Sequence, residues 1–133
     1  MSKAKILIID DDSNMRRALN VRLKAEGYET IFAADGFSAT TTALKEVPDL
    51  VLLDLGLPAG DGFVVMERFQ GNSKLCGIPI IVLTAREVQG NKDRAIASGA
   101  YAFFQKPPDN ERLMSTIGRV LEGTHLGGGV TRT

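Results

Sequence analysis

The chain has 133 residues, 44% of them hydrophobic, and its 16 lysines and arginines are balanced by 16 acids. That length suits one domain with a real core, and the balanced charge provides no general attraction to nucleic acid or to a membrane surface. No apolar stretch approaches a transmembrane span, Met1-Ser-Lys-Ala-Lys5 leads into an expected strand without a signal-peptide pattern, and the single cysteine, Cys76, excludes an internal disulfide framework, so the expected setting is a reducing cytoplasm.

In chain order, apolar runs alternate with helical periods. Residues 6–9, Ile-Leu-Ile-Ile, read as a buried strand that ends in Asp10-Asp11-Asp12. Ser13 is the expected N-cap of a helix whose apolar positions are Met15, Ala18, Leu19 and Leu23, with Gly27 as its stop. A second strand over 28–33 and a second helix over 37–47 follow, and Pro48 breaks that helix. Residues 50–53, Leu-Val-Leu-Leu, have the pattern of a strand buried on both faces; the run delivers Asp54 and then dissolves into Gly56, Pro58, Gly60 and Gly62. Phe63, Met66 and Phe69 mark the inward face of a third helix, and 78–83 form another apolar strand ending at Thr84. The fourth helix, expected over 87–98, is polar, contains Gly90, and should be the weakest. A last strand over 101–104 leads to Lys106-Pro107-Pro108, and Leu113, Ile117, Val120 and Leu121 mark a closing helix over 109–122. The domain is therefore expected to occupy 1–122, with the glycine-rich 123–133 as a flexible tail or the start of a linker.

Five strands each followed by a helix predict an α/β domain with a parallel sheet covered on both faces. Ligands of such sheets bind beyond the carboxyl ends of the strands. Those ends carry Asp10 and Asp11, Asp54, Thr84 and Lys106. The acids repel one another unless a cation sits among them, and an all-oxygen donor set suits Mg2+, with Mn2+ as the alternative, better than zinc. A carboxylate beside such an ion, with an ammonium and a hydroxyl aimed at the same space, is equipped to accept a phosphoryl group as an acyl phosphate. Asp54 is the preferred nucleophile because it is solitary and precedes a glycine-rich loop. The rival assignment gives that role to Asp10 or Asp11.

The marks Ile-Leu-Ile-Ile-Asp10-Asp11, Leu-Leu-Asp54-Leu-Gly-Leu-Pro58 with Asp61-Gly62, Leu83-Thr84-Ala85 and Lys106-Pro107 resemble the receiver domain of response regulators in two-component signalling, over about residues 5–121. The resemblance implies a flavodoxin-like, doubly wound five-stranded sheet of order 2-1-3-4-5 with five helices. It implies that Asp54 takes a phosphoryl group from a sensor histidine kinase, a histidine phosphotransfer protein or a small phosphodonor. Asp10, Asp11 and Asp54, with the backbone carbonyl of Gly56, would hold Mg2+. Thr84 would bond the phosphoryl group and move toward it, Lys106 would contact it, and Phe103 would swing inward. The Lys106-Pro107 bond is expected to be cis. The output face would comprise the fourth helix, fifth strand and fifth helix, open to a partner, an output domain or a second copy. Such a protein is a regulatory phosphoacceptor rather than an enzyme, without direct contact to nucleic acid or membrane.

Some residues depart from the family pattern. Gly56 stands where a polar residue is common, Arg86 lies two after Thr84, Phe103 has no hydroxyl, and Pro108 replaces a frequent Phe. Asp12 reads as a solvated loop acid rather than a third ligand of the pair. Asp10 and Asp12 also match the spacing of haloacid dehalogenase-like phosphatases, although no cap domain or evident substrate pocket accompanies them. An unphosphorylated pseudo-receiver is the remaining alternative, disfavoured by the complete set of acids, Thr84 and Lys106.

Overall fold

The computed structural model describes residues 3–58 and 61–125. Strands and helices alternate as β1 (Lys5–Ile9), α1 (Ser13–Ala25), β2 (Glu29–Ala33), α2 (Gly36–Glu46), β3 (Leu50–Leu53), α3 (Gly62–Gln70), β4 (Ile80–Thr84), α4 (Asn91–Ala97), β5 (Ala102–Gln105) and α5 (Asn110–His125). All strand pairs are parallel, as the alternating pattern led one to expect, and their order, β2-β1-β3-β4-β5, is the one that the family resemblance implies.

Period-two alternation splits the core between the two sheet faces. Ile6, Ile8, Leu50, Leu52, Ile81 and Leu83 point to one side, against Leu19 and Leu23 of α1 and Leu113, Ile117, Val120 and Leu121 of α5. Leu7, Ile9, Val51, Leu53, Ile80 and Val82 point to the other, against α2, α3 and Ala95 of α4. Every residue of β3 and β4 is buried, which is why both read as uninterrupted apolar runs. Each aliphatic side chain buried there contributes about 1.5–3 kcal/mol of transfer free energy.

Several boundaries differ from the sequence expectation. Asp12, not Ser13, caps α1; its carboxylate accepts the N–H groups of Asn14 and Met15, and Ser13 is the first helical residue. A charged acceptor serves orphan helix donors at least as well as a hydroxyl. β2 begins at Glu29 rather than 28, and α2 spans Gly36–Glu46 with Val47 in the left-handed region, φ 46°, ahead of Pro48. α4 is shorter than expected. Gly90 does not interrupt it but precedes it as the N-cap residue, at φ 80°, a conformation open to glycine and foreign to a helix interior. α5 continues through His125, past the expected boundary at 122, and residues 126–133 lie outside the described residues. Among the described residues, no helix is long and apolar enough to cross a membrane.

Candidate phosphoacceptor site

The parallel register assembles the site. Ile9 pairs with Leu53, so the next residues, Asp10 and Asp54, emerge side by side, tied by the Asp54 N–H donating to the Ile9 carbonyl at 2.9 Å. Thr84 ends β4 on the other flank of β3 and pairs with Gln105, which puts Lys106 one residue further out; the Lys106 N–H donates to the Thr84 carbonyl at 2.8 Å. The Lys106–Pro107 bond is cis. Asp10, Asp54 and Thr84 are buried, at 2%, 8% and 1% exposure, an uncommon state for two carboxylates and one that demands partners.

Lys106 supplies them. Its ammonium lies 2.7 Å from Asp10 Oδ2 and 3.3 Å from Asp54 Oδ2. The second oxygen of each acid is served by backbone two residues on: Asp10 Oδ1 accepts from the Asp12 N–H at 2.9 Å, Asp54 Oδ1 from the Gly56 N–H at 3.1 Å. The Asp10 carbonyl accepts from the Arg16 guanidinium at 2.7 Å. Burial pushes the Asp10 carboxyl above its ordinary range, and the Lys106 ion pair and the Asp12 N–H recover only part of that rise. Burial opposes charge on Lys106 too, but the bonds and fields of Asp10 and Asp54 outweigh it and hold the ammonium above its ordinary value. The lysine therefore stays charged between the two buried carboxylates. The cation that three neighbouring acids require comes in part from the chain itself.

Asp10, Asp11 and Asp54 each offer a carboxylate oxygen, all within 4.8 Å of one another, with Asp11 exposed. Hard oxygen donors at that spacing, one side open to solvent, fit a divalent ion of the Mg2+ type that keeps several waters. Gly56 carries no side chain beside the acids, and among the described residues a Cβ there would meet nothing nearer than Asp54 Oδ1 at 4.0 Å. Gly62 is fixed by the opposite constraint, since a Cβ would stand 2.6 Å from Leu55 Cα and 2.7 Å from the Asp54 carbonyl oxygen. Only glycine lets α3 start so close to the strand end that carries Asp54. Phe103 is half-buried and packs on the α2–α3 side of the sheet.

Two contacts were not legible in the sequence. Asp61 caps α3, accepting the Phe63 N–H at 2.9 Å, and its other oxygen pairs with the Arg86 guanidinium at 2.7 Å. Arg94 of α4 stacks 3.7 Å over the Phe63 ring centroid. The Asp61-Gly62 pair was a visible signal for the cap; nothing local pointed to either arginine's partner.

Residues 6–118 match the family model described as the response regulator receiver domain. This chain belongs to that family. As a receiver domain it is 32% identical over 120 residues to Protein PilH of Pseudomonas aeruginosa, covering 90% of this chain and 99% of that protein. It is 35% identical to Response regulator PleD of Caulobacter vibrioides over 86% of this chain but 25% of PleD, and 35% identical to the DNA-binding dual master transcriptional regulator RpaA of Synechocystis over 90% of this chain and 50% of RpaA. The receiver thus spans a quarter to a half of some relatives and nearly all of another. Among solved structures it is similar to a response regulator from Chloroflexus aurantiacus, with a TM-score of 0.86, 29% identity and coverage of 91% and 99% of the two chains. It is also similar to the receiver domain of the sensor histidine kinase PA1611 from Pseudomonas aeruginosa, with a TM-score of 0.83, 26% identity and coverage of 91% and 99%; that structure has magnesium coordinated in its active site cleft. The family's general role is that of a phosphoaccepting regulatory switch in two-component systems.

Proposed function

We propose that Asp54 is the phosphoacceptor of a two-component pathway, taking a phosphoryl group from a phosphohistidine on a sensor histidine kinase or a histidine phosphotransfer protein. The observation that carries this reading is the buried Asp54 sharing the Lys106 ammonium with Asp10, beside the buried hydroxyl-bearing Thr84 at the adjacent strand end. An Asp54 carboxylate oxygen forms the new bond to phosphorus while the phosphorus–nitrogen bond to the donor imidazole breaks, and the imidazole keeps the electron pair and leaves neutral once protonated. Lys106 is the charge that meets the phosphoryl oxygens, and Thr84 donates its hydroxyl to one of them. Asp10, Asp11, Asp54 and the Gly56 carbonyl would hold a Mg2+ ion, with Mn2+ as a substitute, which when bound offsets the charge of the incoming phosphoryl group.

Thr84 then moves toward Asp54, Phe103 follows inward, and the surface of α4, β5 and α5 changes so that a partner, an output domain or a second copy reads it. Balanced charge favours protein partners over nucleic acid for this surface, and the lone cysteine fits action in the cytoplasm. The dehalogenase-like reading rests on Asp12 as its second acid, yet Asp12 Oδ1 accepts two N–H groups from the first turn of α1.

Incubation with Mg2+ and acetyl phosphate, followed by peptide mass mapping, tests the assignment. Phosphate is expected on Asp54, absent from Asp54→Asn and absent in EDTA. Phosphate mapped to Asp10, Asp11 or Asp12 would overturn it.

A further inference from the structure

Arg86 ties the loop after β4 to the start of α3. Its guanidinium donates to Asp61 Oδ2 at 2.7 Å, and its backbone N–H donates to Thr84 Oγ1 at 3.3 Å. Asp61 is itself held by the Phe63 N–H, and the adjoining Gly62 donates to the Leu55 carbonyl at 2.9 Å. Arg86 is therefore anchored to the frame that carries Asp54, and the Thr84 hydroxyl oxygen is anchored to Arg86. A shift of Thr84 as a unit with residues 85 and 86 has to be taken up by the Arg86 side chain or by its pair with Asp61. Arg94, from the same segment, also lands on the first turn of α3 through Phe63, so the segment has two side-chain ties to one short stretch.

We propose that Arg86 is a positioning residue: its ion pair with Asp61 holds the Thr84 loop in the resting arrangement and so opposes capture of a phosphoryl group at Asp54. The inference rests on the phosphoacceptor reading and adds the residue that sets the resting bias of the switch. A ligand moves such an equilibrium only by its differential affinity for the two states, so whatever the pair contributes to the resting state is subtracted from apparent phosphoryl-analogue affinity. Both side chains are partly exposed, 36% and 39%, so solvent screens the pair. The bias is accordingly about two- to fivefold, and it shrinks as salt rises.

Four proteins test this as full chains: wild type, Arg86→Ala, Asp61→Asn and the double variant. Asparagine caps a helix as well as aspartate does, so Asp61→Asn removes the charge and keeps the start of α3. Beryllofluoride titration with Mg2+ at low salt should show both single variants binding about two- to fivefold tighter than wild type. The double variant should gain no more than either single, because one interaction is being removed twice. The differences should close at high salt, and Arg86→Lys should restore part of the resting affinity. Without Mg2+ or beryllofluoride, amide exchange at residues 84–90 should be faster in both single variants. Unchanged or weaker binding in the single variants, additive gains in the double, or unchanged exchange at 84–90 would overturn the inference while leaving Asp54 as the acceptor. Failure of wild type to bind beryllofluoride would instead overturn the phosphoacceptor reading, and this inference with it.

Discussion

α4 and α5 flank the same edge strand, β5, but are held there by different forces. α5 spans 16 residues and buries Leu113, Thr116, Ile117, Val120 and Leu121, a stripe at helical spacing that packs on the aliphatic face of β1, β3 and β4. α4 spans 7 residues and buries Ala95 alone, with Ile96 and the preceding Val88 left exposed at 43% and 44%. It has no side-chain N-cap, and Gly90 precedes it. Its links to the rest of the molecule include Arg94 on Phe63 and, through the loop, Arg86 on Asp61. A helix fixed by core burial resists displacement with several kilocalories per mole, whereas one fixed by surface contacts yields to a local change at the site rim. The asymmetry places the weakly anchored helix after Thr84 and the deeply anchored one after Lys106.

The largest test strikes α5. Ile117→Ala should lower unfolding free energy by about 2–5 kcal/mol, read as a shift in the urea midpoint with little change in slope. A loss below about 1 kcal/mol would mean that α5 is not the anchored member of the pair. Ala95→Gly in α4 should cost about 1 kcal/mol, mostly from helix propensity, because there is little side chain to lose.

Arg94→Ala sharpens the contrast further. Loss of the stacking on Phe63 should cost about 0.5–1 kcal/mol at this exposed position. The effect should be local: amide protection should fall in α4 while that of α5 stays unchanged. A uniform fall across both helices would show that α4 shares in the global unfolding unit after all.

The smallest effect is one of pH. Burial raises the Asp61 carboxyl, but the Phe63 N–H and the Arg86 guanidinium together hold it below its ordinary value. A depressed folded-state pKa means that this stabilisation is complete above the unfolded carboxylate value, about 3.9, and is lost as pH falls through the lower folded value. An NMR titration should therefore place the Asp61 carboxyl midpoint below that of an unstructured aspartate, with the Phe63 amide reporting the same midpoint. Protection at the α3 start should weaken over that window. A midpoint above the unstructured value would contradict the depression described here.

The order of elements, both core faces and the rim residues Asp10, Asp54, Thr84 and Lys106 were legible because the signals are local. Apolar runs of strand length, turn residues after them and helical spacing between them specify the elements. Once all strands run parallel, topology alone brings every carboxyl end to one edge. Local signals were weaker at boundaries: the polar 87–98 stretch could not show that Gly90 stands outside α4, and a hydroxyl and a carboxylate competed for the same N-cap at Ser13 and Asp12.

What the tertiary structure alone decided is the pairing of charges. Lys106 meets Asp10 and Asp54 across sequence separations of 96 and 52 residues, and Arg86 meets Asp61 across 25. No periodicity encodes such choices. They depend on which long side chain reaches which carboxylate within a few ångströms, and on how much water the fold has removed around each, because burial makes an unpaired charge costly enough to dictate its partner. The residue types and their order determined that acids, a hydroxyl and an ammonium would share one rim. The packed sheet determined that Lys106 would remain charged between Asp10 and Asp54, and that Arg86 would be tied to the helix that starts against Asp54.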